Sequence, residues 1–421
     1  MTNRTPPAGI PPTSGSPSGS PSGSPSGAPA SGQPASGRPR SYGAAGPAAA
    51  PTRIDRSTLP AYATGAGLLA TGAAESAFAL VRDWAHDVLA TGVTLITPAD
   101  LPPDALCVVV TLVGSTTALA EQLPTGDEPA RAIHALERRT GTPAAAIAAL
   151  NLAAENAILP LIAAAQLGLP LVDGDGTGRV FPLVEQTTYT LAGLSPAPLA
   201  LAGAAGDLVL LETSRVEGTL RPVVLSMGGW AVAACYPMRA DDLARAIVPG
   251  TVSRLLHAGH PAAGRTRPAG NPDKTSATDA TGAAGGFNVA DRTLAAPYGV
   301  SRLAVGVITA VDGVYHHTLD APATGLPSLP SSVVVRESDG LRRQIRLEAH
   351  NEFVLALADG ALAATAPDQI CLVSLADGQV IDVDRAEPGM EVEVLIVRAA
   401  PMWHTEQGRA LGGLPAFGIA L

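Results

Sequence analysis

Helical spacing of apolar residues opens the patterned part of the chain. Leu68, Leu69, Phe78, Ala79, Val81, Trp84, Val88 and Leu89 recur on one face, with a break at Thr71-Gly72. This predicts structure starting near Leu59 and helix across residues 59–90. Leu106 to Val113 is an unbroken, largely β-branched run closed by Gly114-Ser115-Thr116-Thr117, the composition of a strand buried on both faces. Pro129 to Arg139, Pro143 to Asn151 and Asn156 to Leu167 read as helices, the last with Pro160 in its first turn or kinking it. Pro170 to Val172 reads as a strand ending in a glycine-rich loop. Alternating strands and helices predict an α/β N-terminal domain with a mainly parallel sheet over residues 57–205.

Beyond residue 205 the runs shorten. Leu208 to Glu212, Arg221 to Ser226 and Trp230 to Tyr236 read as strands, and Asp241 to Ile247 and Thr251 to Leu256 as helices. From Arg302 onward, apolar runs at Ala304–Val311, Ser332–Val335, Gln344–Leu347, Phe353–Leu357, Gln369–Leu375 and Glu391–Val397 are separated by Gly, Pro and Asp. They predict a β-rich C-terminal domain over residues 206–421, a small barrel or sandwich. Residues 261–286, rich in Ala, Gly, Thr and Pro, read as a mobile loop within it. Residues 1–56 read as a disordered tail: Ser-Gly-Ser-Pro repeats with a period of four between Ser14 and Ala28, and such a segment cannot bury enough apolar surface to offset its ordering entropy.

Composition narrows the function classes. Apolar residues make up 46% of the chain but aromatics only 3%, so the core must be built from Ala, Val, Leu and Ile. The formal charge of −10 argues against a nucleic-acid partner, which calls for clustered Lys and Arg. Lys274 is the sole lysine. That bias, with the abundance of Ala, Gly, Pro and Arg, reflects a high-GC, actinobacterial-like composition and carries no functional meaning. Cys107, Cys235 and Cys371 are odd in number, far apart and set among apolar residues. They read as buried free thiols and favour a reducing, cytoplasmic setting. No apolar run approaches the roughly 20 residues of a membrane span, and the N-terminus lacks a signal-peptide core.

The candidate chemistry centres on Asp173-Gly174-Asp175-Gly176-Thr177-Gly178-Arg179, placed where a strand of an open α/β sheet ends and ligands collect. Three readings are open. The aspartates bind a cation through oxygen; one is a general base while Arg179 holds an anionic substrate; or the loop is a tight turn whose aspartates accept from backbone N–H groups and pair with Arg179. Glu155 and Asn156 start the preceding helix, as caps or beside a substrate anion. Glu185, Thr187 and Thr188 follow the loop and can reach the same cleft. His350-Asn351-Glu352 is a polar triplet in a strand-rich region. His257, His260, His316, His317 and His404 are weaker candidates and read as surface residues. No GxSxG, HExxH, P-loop or full GxGxxG motif is present.

Taken together these segments resemble the S-methyl-thiohydantoin desulfurase family. Gly168 to Pro182 is similar to its "GlPvvDgDgmGRaFPel" signature. Glu155-Asn156 with Pro160-Leu161 is similar to "GGeNsl.Pl", His350-Asn351-Glu352 to "fqNEnlva", Pro367 to Ile370 to "PDLI", and Met402-Trp403 with Ala416 to Gly418 to the "W.t…aFGy" ending. The resemblance runs from about residue 59 to the end. It implies an α/β domain followed by a β-rich domain, association with hydantoinase and oxoprolinase systems, and hydrolase-like chemistry on a hydantoin or thiohydantoin-type cyclic amide. Water would attack the ring carbon bearing sulfur, assisted by a divalent metal, Zn or Mn. Under that resemblance Asp173 and Asp175 take the metal or base role, and Arg179 holds a substrate carboxylate or the oxyanion. Glu155, Asn156, Glu185 and Asn351 supply substrate contacts. A homo-oligomer is left open.

Three departures favour the alternative of a non-catalytic binding or accessory protein. Thr71-Gly72-Ala73-Ala74-Glu75-Ser76 stands where the pattern has "TGGGGdP", Ala153-Ala154 where it has two glycines, and Leu183 where it has Glu. Methyl groups at such positions block close approach of a ligand to the backbone. A structural or interaction protein working through its Ser-Gly-Pro tail is a third reading, supported by the tail alone.

Overall fold

In chain order the N-terminal part runs β1 (Arg53–Ile54), α1 (Leu59–Leu69), α2 (Glu75–Val88), β2 (Val93–Ile96), β3 (Leu106–Gly114), α3 (Thr116–Glu121), α4 (Glu128–Thr140), β4 (Ala144–Ala149), α5 (Glu155–Leu167), β5 (Leu171–Asp175) and α6 (Thr188–Leu191). It continues through β6 (Leu199–Ala202), β7 (Leu208–Leu211), α7 (Val216–Ser226), β8 (Trp230–Arg239), α8 (Ala240–Ala246), β9 (Val248–Pro249) and α9 (Thr251–Ala258). The C-terminal part holds β10 (Val300–Asp312), β11 (Ser331–Glu337), β12 (Gln344–His350), β13 (Glu352–Ala358), β14 (Ala361–Thr365), β15 (Gln369–Ser374), β16 (Val380–Ile381), β17 (Glu391–Val397) and α10 (Glu406–Gly412). This computed structural model describes residues 53–69, 75–259, 298–313, 331–338, 340–350, 352–376 and 378–419, all within one compact unit. The 261–286 loop and most of the N-terminal tail lie outside the described residues.

The first sheet has the order β1-β2-β5-β4-β3-β8-β6-β7, with β9 added to β5. Its centre, β2-β5-β4-β3, is parallel, and the flanking strands are antiparallel. Period-two alternation on β3 explains its double burial. Val108, Val110 and Leu112 face a core shared with Leu59, Tyr62, Ile133, Ile158 and Leu255 from the helices. Cys107, Val109 and Val113 face a second core with Tyr189, Leu220 and Leu243. All three cysteines are buried, and burial pushes the Cys107 thiol up to about 12. No described helix is long and apolar enough to cross a membrane.

Several sequence expectations are corrected. Pro143–Asn151 reads as helix because alanine favours it, yet Ala144–Ala149 forms β4. Small side chains suit a strand buried between β3 and β5, and that packing overrides local propensity. Arg221–Ser226 reads as a strand but is the second half of α7, where Val216, Leu220 and Val224, four residues apart, form the buried stripe. Order begins before residue 57: Ile54 is fully buried and pairs with Val93. Among the described residues, β7, α7, β8, α8, β9 and α9 belong to the first sheet and its helices, and the strands of the second sheet run from Val300 onward.

The second sheet is antiparallel throughout, in the order β14-β13-β12-β11-β10-β17-β15-β16. Its β13 also packs against β15, so the sheet curls over a core of Val333, Val335, Leu347, Leu372 and Val394. A further apolar cluster joins the two sheets: Phe181 and Val248 from the first part meet Val354, Ala399, Trp403 and Phe417 from the second.

Candidate functional site

β5 ends at the carboxyl edge of the parallel strands, where β4 and the start of α5 also arrive, and the chain turns sharply there. Gly176 N–H donates back to Ala149 and Leu150 on the β4 side, at 3.2 and 2.9 Å. A Cβ at Gly176 would sit 2.4 Å from the Tyr189 ring, and Gly178 has φ +66°. These glycines permit close packing and a tight turn within the protein. The loop folds around the Asp175 carboxyl, which is 1% exposed. Gly178 N–H reaches its two oxygens at 3.0 and 3.1 Å, and the Thr177 hydroxyl donates to Oδ2 at 3.0 Å. Burial outweighs these donors and nearby Arg254, lifting Asp175 to about 7. The carboxyl borders a cavity of about 10 Å³ lined by Ala153, Arg179, Val248, Thr251, Arg254 and Tyr298 among others, space for about one water molecule.

Asp173 has a different task. It is half-buried, and its Oδ1 and Oδ2 accept from Ser253 N–H at 2.9 Å and Ser253 Oγ at 2.6 Å. Gly250 N–H also donates to its carbonyl at 2.9 Å. Asp173 therefore caps the first turn of α9 from β5, where a carboxylate also complements the helix dipole.

Arg179 does not present an open guanidinium to a ligand. Nε donates to Val180 O at 2.9 Å, Nη2 to Glu352 Oε2 at 2.5 Å and Nη1 to Pro367 O. The guanidinium lies 4.1 Å from the Phe181 ring centre. Both charged side chains of the Arg179–Glu352 pair are buried, and burial pushes Glu352 above the ordinary carboxyl range in spite of the cation beside it. Trp403 Nε1 donates to Thr177 O at 2.8 Å, and its ring packs 4.5 Å from that of Phe181. The signature loop thus joins the two parts of the molecule while it holds Asp175.

The remaining candidates are dispersed. Asn156 Oδ1 accepts from Thr111 Oγ1 and Leu112 N–H, both at 2.7 Å, fastening α5 to β3. Glu155 is buried and lifted by desolvation to about 7, and its Oε1 has no hydrogen-bond partner among the described residues. It follows Ala154, whose φ of 46° and ψ of −119° is a backbone conformation suited to glycine. Glu185 belongs to a second acidic pair: it and Glu217 are each raised by burial, and Glu217 accepts from Val184 N–H at 2.5 Å. Leu183 packs with the cluster around Phe181 and Trp403. Thr187 and Thr188 bond inward, to Tyr236 and Gly176. His404 lies 3.1 Å from Asp368, and His257 is exposed on α9. Asn351, Ala73, Ala74, His260, His316 and His317 lie outside the described residues.

Sequence reasoning missed Thr177, Thr251, Arg254 and Tyr298. Thr251 and Arg254 stand three apart on α9, one helical face. That polar spacing is the only signal for them in the sequence.

The donor set does not fit a Zn or Mn ion held by Asp173 and Asp175. Both oxygens of each carboxylate already accept hydrogen bonds, Asp173 from Ser253 and Asp175 from its own loop. Among the described residues no three His, Cys, Asp or Glu side chains converge as a metal site.

The chain matches the S-Me-THD-like N-terminal domain over residues 57–213 and the S-Me-THD-like C-terminal domain over residues 212–421. It belongs to the S-Me-THD-like family. No curated protein matches it. Its fold is similar to that of a protein from Chromobacterium violaceum solved by crystallography, with a TM-score of 0.65 and 22% identity, covering 87% of this chain and 98% of that one.

Proposed function

We propose that the protein hydrolyses a thiohydantoin-type cyclic amide at the cavity beside Asp175, releasing sulfur as a thiol. One observation carries this reading: a fully buried carboxyl, poised near neutrality, borders a cavity of one-water size at the carboxyl ends of the parallel strands. A general base works best with a pKa near the working pH. Asp175 takes a proton from water as the water oxygen bonds to the ring carbon bearing sulfur. Addition moves the C=N electron pair onto the ring nitrogen, which takes the second proton of the water as the C=O bond forms. The carbon–sulfur bond breaks, its electron pair leaves with sulfur, and the first proton passes from Asp175 to the departing thiolate. The ring carbon is left as a carbonyl. Arg254, which lines the cavity, is assigned the developing negative charge, the role that the sequence alone offered to Arg179. Thiol release from an S-methyl-thiohydantoin tests the reading: turnover by the wild type and its loss in Asp175→Asn support it.

A second reading is favoured by the size of the cavity, about 10 Å³, well below the several hundred Å³ of usual small-molecule pockets. It is a binding or accessory protein that takes a cyclic amide without turnover. Thermal stabilisation by hydantoins with no product formed would support it.

A further inference from the structure

The Thr177 hydroxyl lies between two acceptors but carries one proton. It is 3.0 Å from Asp175 Oδ2 and 2.5 Å from the Arg179 carbonyl, and the residue is 1% exposed, so solvent does not complete the arrangement. A hydroxyl can donate once and accept twice. When Asp175 is a carboxylate, the hydroxyl proton serves Oδ2. When Asp175 is neutral, its own O–H can donate to Thr177 Oγ1, and the Thr177 proton turns to Arg179 O. Neither arrangement requires the loop to move.

What keeps the loop in place comes from the other sheet. Trp403 Nε1 donates to the Thr177 carbonyl, while Glu352 and Pro367 hold the Arg179 side chain. The other charged or titratable groups around Asp175 are Arg254 on α9, Asp173 on its own strand, Tyr62 on α1 and Tyr189 on α6, and Arg179 shares its cavity. Thr177 touches both sides: its hydroxyl donates to Asp175 Oδ2, and its carbonyl accepts from Trp403 Nε1 of the C-terminal part.

We propose that Thr177 is a positioning residue for Asp175, its single hydroxyl proton passing between the Asp175 carboxyl and the Arg179 carbonyl, and that through it the state of Asp175 is felt at Trp403. The inference deepens the proposed function by naming what sets the orientation of its base, and its test needs no substrate.

The experiment is a mutant cycle on the full chain, read by the indole N–H proton resonance of Trp403 at pH 8.5, resolved from those of Trp84 and Trp230. Asp175→Asn replaces the carboxylate by a neutral group of the same shape. It is expected to displace the Trp403 resonance in the wild-type background and in Thr177→Ser, which keeps the hydroxyl. In Thr177→Val most of that displacement is lost. An equal displacement with and without the hydroxyl overturns the proposal. If Thr177→Val does not fold, absence of displacement in Asp175→Asn alone, or its loss in Thr177→Ser, overturns it. Absence of turnover by the wild type with the coupling intact would count against the proposed reaction and leave this inference standing. Turnover without coupling would do the reverse.

Discussion

Arg179 and Glu352, 173 residues apart in sequence, form a buried ion pair with Nη2 2.5 Å from Oε2. The pair ties the loop that cradles Asp175 to the first residue of β13. Its two members are not equivalent. Glu352 can take up a proton when its partner is lost, whereas arginine stays charged at any working pH. Glu352→Leu therefore leaves a buried, uncompensated cation and is expected to destabilise the fold by about 3–5 kcal/mol. Arg179→Met should cost less, most clearly near pH 5.5 where Glu352 is neutral. Urea unfolding midpoints at pH 5.5 and 8 check both.

Stability should fall as pH rises through neutrality. Asp175 and Glu155 each titrate near 7 in the fold, against ordinary values of 3.8 and 4.5. Between about pH 4.5 and 7 the folded chain therefore holds more protons than the unfolded one. The favourable contribution is complete below the unfolded values and is lost as pH passes 7. Asp55, Asp100 and Asp127 are shifted down instead, so their opposing effect is confined to pH below about 4. The melting temperature is expected to drop between pH 5 and 8, and the drop to shrink in Asp175→Asn and Glu155→Gln.

Asp173→Ala should act on stability. It removes both acceptors offered to Ser253, with an expected loss of about 1 kcal/mol, and Ser253→Ala should lose less because its N–H keeps the carboxylate. If Asp173 were a metal ligand, a chelator would reproduce the effect. The geometry predicts that a chelator leaves unfolding unchanged.

Ala154 occupies a backbone conformation with φ 46°. Ala154→Gly relieves that strain, and the relief is opposed by glycine's greater entropy loss on folding. A net gain of about 1 kcal/mol is expected, measurable as a higher urea midpoint. A decrease would show that the Ala154 methyl group contributes packing that outweighs the strain.

Much of the fold was legible where side-chain pattern and burial agree. The β-branched run at Leu106–Val113 could only be a doubly buried strand, and Pro129–Arg139 carries its helix in its spacing. Ala144–Ala149 was misread because alanine has no β signature of its own; its place between two parallel strands decides it. At the site, Asp173 and Asp175 stood out because both precede glycine at a strand end. Their tasks diverge through partners remote in sequence, Ser253 for one and the loop closed by Trp403 for the other. Arg179 looked like a ligand contact or a partner of the neighbouring aspartates; its actual partner, Glu352, reaches it from the other sheet. Arg254 was missed for the converse reason, since only the fold brings α9 to the end of β5.

The central claim is that Asp175 is the base of a desulfurising hydrolysis. Thiol release from an S-methyl-thiohydantoin by the purified full-length chain, wild type against Asp175→Asn at pH 8, tests it most directly. The account predicts measurable release by the wild type and a fall of at least about 100-fold in the variant, with the fold retained. Equal release by both proteins would contradict it.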